Sequence, residues 1–234
     1  MFELFETVRV ENGKATFIEK HYSRIKKSAE ILKFPFDISA ENFKRIIENT
    51  APNSDSYLVK FSLFINGDFS VSFRKCTVPN KVSLMFFEGI KRKVDLLSKH
   101  KTSSIYESIV GIRAAKEKGF TEAIIFDTQG FISETAFANL FFVKDGIFFT
   151  PSLETGCLPG TRRAIVIKIL KDTGIPVFEG FFTKEDILKA DEVLITSAKY
   201  DVVSVQKIED RVFEFNGKPW GKRLKEIMEM MKFR

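Results

Sequence analysis

The opening stretch FELFETVRVENGKATFIEK alternates apolar and polar positions on either side of Glu11-Asn12-Gly13. A period of two interrupted by Asn-Gly predicts antiparallel strands joined by a tight turn. From about Lys20 to Leu32 the period changes: Ile25, Ala29 and Leu32 recur at helical spacing, and Asn42 to Asn49 carries a second helical stretch. Ser56 to Lys75 returns to alternation and splits at Asn66-Gly67-Asp68 into two strands, with a further strand over Lys81 to Phe87. Strands and helices mixed in this order predict an α+β first half.

Between Phe87 and His100 the chain turns basic and loses its period, which predicts a linker over 89–99 between a domain at 1–88 and a larger one at 100–234. Ile105 to Lys118 reads as a helix, followed by short strands at Ala123 to Phe126, Phe131 to Ser133, Ala138 to Val143 and Ile147 to Thr150. Another helix is predicted from Gly160-Thr161 to about Asp172, stopped by Gly174-Ile175-Pro176. A strand at Val177 to Phe181, a helix from Thr183 and a strand at Glu192 to Thr196 complete the pattern. The sequence has neither an internal repeat nor a low-complexity segment.

Composition narrows the class. With 234 residues, 44% of them hydrophobic and 26 of them Phe, the chain can bury one large core or two modest ones, and disorder is excluded. The net charge of +6 and pI near 9.2 suit an anionic ligand. The excess cations, however, sit beside acids on amphipathic stretches such as EKHYSRIKKSAEIL and GKRLKEIMEMMKFR, and no nucleic-acid motif accompanies them. No basic-then-apolar leader opens the chain and no window reaches the roughly 18 apolar residues of a membrane span. A soluble cytoplasmic protein is expected, without nucleic-acid or membrane partners. Cys76 and Cys157 lie far apart without CxxC spacing, which indicates neither a disulfide framework nor a metal site.

Three stretches carry candidate chemistry. In SKHKTSSIYES a lysine stands at the start of a helical segment; lysine can hold an aldehyde covalently and, once released, carry a proton, although most lysines are surface charges. In GFISETAFANLFFVKDGIFFTP, Glu134 interrupts a strand-turn-strand pattern and is either a turn acid or the partner of a ring nitrogen. In LETGCLPGTRRAIVIKIL, Leu158-Pro159-Gly160-Thr161 lead straight into a helix whose N-terminal amides suit a phosphate, or which is merely capped there.

These stretches, together with FETVRV, HYSRIKKSAEIL, HKTSSIYESIVGIRAAKEKGFTEAIIFD and ADEVLITSA, occur in the order and spacing of one family. The chain resembles, over nearly its whole length, the class IV aminotransferases that depend on pyridoxal 5′-phosphate (PLP). The resemblance implies a two-domain α/β (α+β) architecture of fold type IV, with sheets flanked by helices, the active site between the domains, and a homodimer. It puts the cofactor-bearing lysine at Lys101, whose spacing to the Gly119 turn fits without a gap, with Lys99 as the rival. Glu134 is the expected partner of the pyridine nitrogen. Arg24, Thr161 with Arg162, and Ser197 with Ala198 are expected around the phosphate, with Tyr106 near the phenolic oxygen; helix-face packing explains Tyr106 almost as well.

The family contains branched-chain and D-amino acid aminotransferases and 4-amino-4-deoxychorismate lyase, which releases pyruvate and forms 4-aminobenzoate for folate synthesis. Thr7 stands where lyases resemble one another in having a threonine, and Lys60 matches a lyase lysine placed to meet a substrate carboxylate, with Arg74 as a second cation. Each also has a plain structural explanation: Thr7 suits any strand, and Lys60 suits the polar face of an edge. The resemblance therefore implies the lyase, with a branched-chain or D-amino acid aminotransferase, or a relative that binds PLP or a ligand without efficient turnover, as the alternatives, and a small anionic amine as the expected substrate. Relatives usually carry about twenty more residues before the FET segment, a strand and turn that frame the substrate entrance.

Overall fold

A computed structural model describes residues 2–215 and 217–233. The chain divides into two compact units, the first formed by Met1–Val78, His100–Ser104 and Glu229–Arg234, the second by Pro79–Lys99 and Ile105–Met228.

The first unit is built on a sheet of order β2-β1-β3-β4, with β1 at Glu3–Glu11, β2 at Lys14–Ala15, β3 at Ser56–Phe64 and β4 at Phe69–Lys75, all antiparallel. At the β1–β2 turn Asn12 and Gly13 both have positive φ, 48° and 75°. That is the turn whose twist matches a hairpin, and Asn-Gly adopts it at least cost. Helices α1 (Ile18–Leu32) and α2 (Ala40–Thr50) follow; Ser39 caps the second by accepting from the Asn42 amide at 3.2 Å.

Because side chains alternate along a strand, the even positions of β1 and the odd positions of β3 share one face. Leu4, Val8, Val10, Val59, Phe61 and Leu63 bury there against Ile25 and Ala29 of α1 and Phe43 and Ile47 of α2. The Phe43 and Phe61 rings meet edge-on, 5.0 Å between centroids. The opposite face carries the odd positions of β1, and the register sets Thr7 opposite Lys60 and Lys60 opposite Ser72.

Residues 100–104 rejoin this unit by pairing with β1. The Phe5 amide donates to the Lys101 carbonyl and the Ser103 amide to the Glu3 carbonyl, each at 2.9 Å, with Leu4 bridging Thr102. His100 is anchored beside them, its Nδ1 2.8 Å from Ser28 Oγ on α1.

The second unit contains sheets of order β14-β13-β5-β6-β7 and β10-β9-β8-β11-β12. The strands are β5 (Ser83–Arg92), β6 (Glu122–Asp127), β7 (Ile132–Thr135), β8 (Asn139–Lys144), β9 (Ile147–Pro151), β10 (Val177–Gly180), β11 (Glu192–Ser197), β12 (Asp201–Ser204), β13 (Lys207–Ile208) and β14 (Arg211–Val212). The helices are α3 (Tyr106–Glu117), α4 (Thr161–Asp172), α5 (Lys184–Leu188) and α6 (Trp220–Glu229). Parallel pairs (β5–β6, β13–β5, β9–β10) sit among antiparallel ones. Every residue of EAIIFD in β6 is buried, which is why that strand reads as an apolar run rather than an alternation.

Of the segment 89–99, expected as a linker, residues 89–92 differ. β5 runs on to Arg92 and belongs to the second unit, and the boundary expected at 88 lies inside it. The pairing of β5 with β6 slips register between Phe87 and Arg92, and that irregularity erases the alternation in the sequence. Strands β12 to β14 were not legible either; β13 and β14 are two residues each, too short to show a period. No helix among the described residues is long and apolar enough to cross a membrane.

Candidate active site

On the open face of the first sheet, Lys101 and Lys60 lie against the same ring: their Nζ atoms are 4.4 and 4.8 Å from the Phe5 centroid. Phe5 and Thr7 project from this face, with Lys60 across from Thr7. Lys60 Nζ also contacts Glu3 Oε1 at 2.6 Å. The first unit thus brings Lys101, Thr7 and Lys60 together. Arg74 stands opposite Leu58 on the exposed edge strand, on the same face. Lys99 is elsewhere: it belongs to the second unit and pairs at 3.2 Å with Glu154 on an exposed surface.

Beneath the sheet, Glu6 is buried with His21 Nδ1 at 2.6 Å from one carboxylate oxygen, while Arg24 Nε and a terminal nitrogen each donate at 2.7 Å. Burial alone raises the Glu6 pKa, but Arg24 and His21 outweigh it and hold the carboxyl down at about 2. Arg24, expected at a phosphate, therefore presents a guanidinium already oriented by Glu6.

In the second unit Glu134 lies on β7 beside a register shift in the β6–β7 pairing. Arg92 reaches its Oε1 at 3.1 Å, and Asn139 donates to its Oε2 at 3.1 Å. The same Asn139 amide nitrogen donates to the Leu158 carbonyl at 2.8 Å, tying Glu134 to the loop that leads into α4. Gly160, the N-cap of α4, fits against this amide because it lacks Cβ; an added Cβ would stand 1.9 Å from Asn139 Oδ1.

Arg162 turns inward and is buried, donating from Nε to Asp201 at 3.0 Å. Asp201 is the register partner of Ser197, so this ion pair fastens the start of α4 to the Ser197-Ala198 turn. The Arg162 side chain thus braces this turn rather than reaching outward. Tyr106 opens α3 and is 68% exposed.

Glu122 braces the same turn. Its carboxyl accepts from Tyr200 Oη at 3.3 Å and from the Phe137 amide at 3.2 Å, and the Tyr200 amide donates to Ser197 Oγ at 3.4 Å. Burial pushes Glu122 up to about 7, against the opposing Phe137 N–H, Lys199 and Tyr200. A carboxyl whose folded pKa lies above its unfolded value of 4.5 contributes stability below pH 4.5 that is lost as pH rises to 7. Glu122→Gln is expected to remove that slope and to stabilise the protein at pH 8 by about 3 kcal/mol, read from urea midpoints of both proteins at pH 5 and 8.

These donors fit PLP. The first turn of α4 carries no acid, which suits an anion at that helix start. Among the described residues, Arg92 Nε beside Glu134 and Thr196 Oγ1 beside Ser197 are buried polar atoms without a partner. Cys157, by contrast, is buried, and burial pushes its thiol up to about 12, with the charge of Glu134 adding to the effect, so it is no nucleophile.

Mixed α/β units with this donor set define a PLP-dependent enzyme of fold type IV. Residues 3–208 match the model of the amino-transferase class IV family, and the chain belongs to that family. It is 29% identical, over 98% of its length and 85% of the relative's, to a Methanocaldococcus jannaschii protein that carries the name of a branched-chain-amino-acid aminotransferase. A Legionella pneumophila protein solved under the name of a 4-amino-4-deoxychorismate lyase superposes with a TM-score of 0.86 at 26% identity, covering 97% of this chain and 90% of that one. A Brucella abortus aminotransferase solved with PLP shares the fold at a TM-score of 0.84 and 23% identity, over 98% and 89% of the two chains.

Sequence reasoning missed Glu6, Arg92 and Asn139. Glu6 stands inside the FET motif and Asn139 five positions after Glu134, yet only the fold reveals that one orients Arg24 and the other ties Glu134 to α4.

Proposed function

We propose that the protein is a lyase acting on 4-amino-4-deoxychorismate, releasing pyruvate and forming 4-aminobenzoate. The observation that carries this reading is the row of Thr7 and Lys60 on the sheet face that also holds Lys101. Lys101 is the covalent anchor and proton carrier, Glu134 the partner of the pyridine nitrogen, and Arg24, the α4 start and the Ser197-Ala198 turn the phosphate ligands. PLP, when bound, supplies an electron sink for the charge left at the carbon that loses its proton.

Lys101 takes the proton from the ring carbon bearing the amine. The electron pair left there drives out the enolpyruvyl oxygen, the ring becomes aromatic, and the enolpyruvate picks up a proton to leave as pyruvate. Thr7 offers its hydroxyl to the departing oxygen, and Lys60, with Arg74 beyond it, meets a substrate carboxylate by a charge-assisted hydrogen bond. The protein works as a cytoplasmic homodimer in folate synthesis.

Branched-chain transamination is the second reading, favoured by the curated relative's name. A coupled assay for pyruvate and 4-aminobenzoate, beside exchange of L-leucine, D-alanine and L-glutamate with 2-oxo acids, separates the two. Stoichiometric pyruvate and 4-aminobenzoate are expected, with Lys60→Ala raising KM for the lyase substrate about 10-fold, the worth of one charge-assisted hydrogen bond. Keto-acid exchange without those products assigns the aminotransferase. An unchanged KM in Lys60→Ala removes Lys60 from the substrate site.

A further inference from the structure

Lys60 stands opposite Thr7, yet its ammonium reaches back along β1, past the Phe5 ring, to the carboxylate of Glu3. Glu3 is held for that contact. Its amide donates to Ser103 Oγ at 3.2 Å and its carbonyl accepts from the Ser103 amide at 2.9 Å, two residues from Lys101. The Glu3 side chain is 14% exposed and Lys60 43%, so the acid is the fixed member of the pair and the lysine the one that solvent or a ligand can reach.

A fixed carboxylate 2.6 Å from the lysine has two effects on an arriving anion. It occupies the ammonium's best hydrogen-bonding direction, and its own charge repels a second carboxylate brought to the same place. A ligand with one carboxylate engaged elsewhere meets neither effect.

We propose that Glu3 is a specificity-determining residue, which sets how readily Lys60 accepts the second carboxylate of a substrate that has two. The proposal rests on the sheet face of Lys60 and Lys101 being the substrate face. It holds for either reaction named above, since aminodeoxychorismate and glutamate each carry two carboxylates whereas leucine carries one.

Glu3→Gln keeps the shape and removes the charge. On the PLP-loaded enzyme, calorimetry would measure binding of chorismate, which has two carboxylates and a hydroxyl in place of the amine, and of 4-methylpentanoate, which has one. Glu3→Gln is expected to tighten chorismate about 3- to 10-fold, the range of a partly exposed charged contact, and to leave 4-methylpentanoate within about 2-fold. The preference for glutamate over leucine in exchange assays should rise in step, and the gain should shrink at high salt.

Equal shifts for both ligands, no shift, or weaker chorismate binding overturns the proposal, as does chorismate failing to bind any variant. Lys60→Ala separates the two ways of failing. If it weakens chorismate while Glu3→Gln does not tighten it, the role of Glu3 is lost and the substrate face stands. If Lys60→Ala leaves both ligands unchanged, the assignment of the face falls, and the role of Glu3 with it.

Discussion

Lys101→Ala is expected to abolish covalent PLP and to lower turnover by a factor on the order of 10⁴, the upper range for losing a positioned proton carrier. The physical case begins with the backbone. Residues 100–104 pair with β1 through amide–carbonyl bonds at Phe5 and Glu3, so the lysine projects from a fixed strand edge. Its ammonium rests against the Phe5 ring at 4.4 Å. Lys99, two positions earlier, leaves this unit and joins a surface pair with Glu154. Borohydride reduction followed by intact-mass measurement checks the point: wild type should retain the mass of one reduced cofactor and Lys101→Ala none, while Lys99→Ala should behave as wild type. Retention of the cofactor mass in Lys101→Ala would move the anchor to another lysine.

The second large effect concerns stability and acid. Glu6 is buried among Arg24 and His21, and removing one member of such a cluster leaves its charged partners desolvated and unpaired. Glu6→Ala is therefore expected to destabilise the protein by about 3 to 5 kcal/mol. The sign with pH follows from the direction of the shift. A carboxyl held at about 2 when folded and at 4.5 when unfolded contributes stability that is complete above pH 4.5 and lost as pH falls toward 2. That contribution amounts to about 3 kcal/mol. Urea unfolding at pH 7, 4.5 and 3 should show wild type weakening in the acid range and Glu6→Gln with a flatter profile. Parallel profiles for the two proteins would mean that Glu6 is not the group that titrates. Because Glu6 also orients Arg24, the same variants should bind inorganic phosphate more weakly if Arg24 is a phosphate ligand.

Periodicity along the chain was enough for the hairpin at Asn12-Gly13, helices α1 to α4 and the strands from β6 to β9, because each of those elements buries one face or is buried entirely. It failed over 89–92, where β5 continues through a register shift in its pairing with β6. It also missed β12 to β14, of which β13 and β14 are two residues each, too short to show a period. Resemblance in motif order carried the family, and with it PLP, since the reactive residue types must recur at fixed intervals around one cofactor.

The amino-acid sequence by itself determined the alternation of elements, the candidate residues Lys101 and Glu134, and the family to which the chain belongs. Tertiary structure alone decided which charges meet. Lys60 finds Glu3, Arg24 finds Glu6, Arg162 finds Asp201, and Glu134 is held by Arg92 and Asn139. A local period records which face of an element is buried, whereas the partner of a charge depends on strand register and on contacts between residues far apart in sequence, 57 positions for Lys60 with Glu3. Burial at those contacts then sets whether a carboxyl such as Glu6 is held at about 2 or, as in Glu122, at about 7.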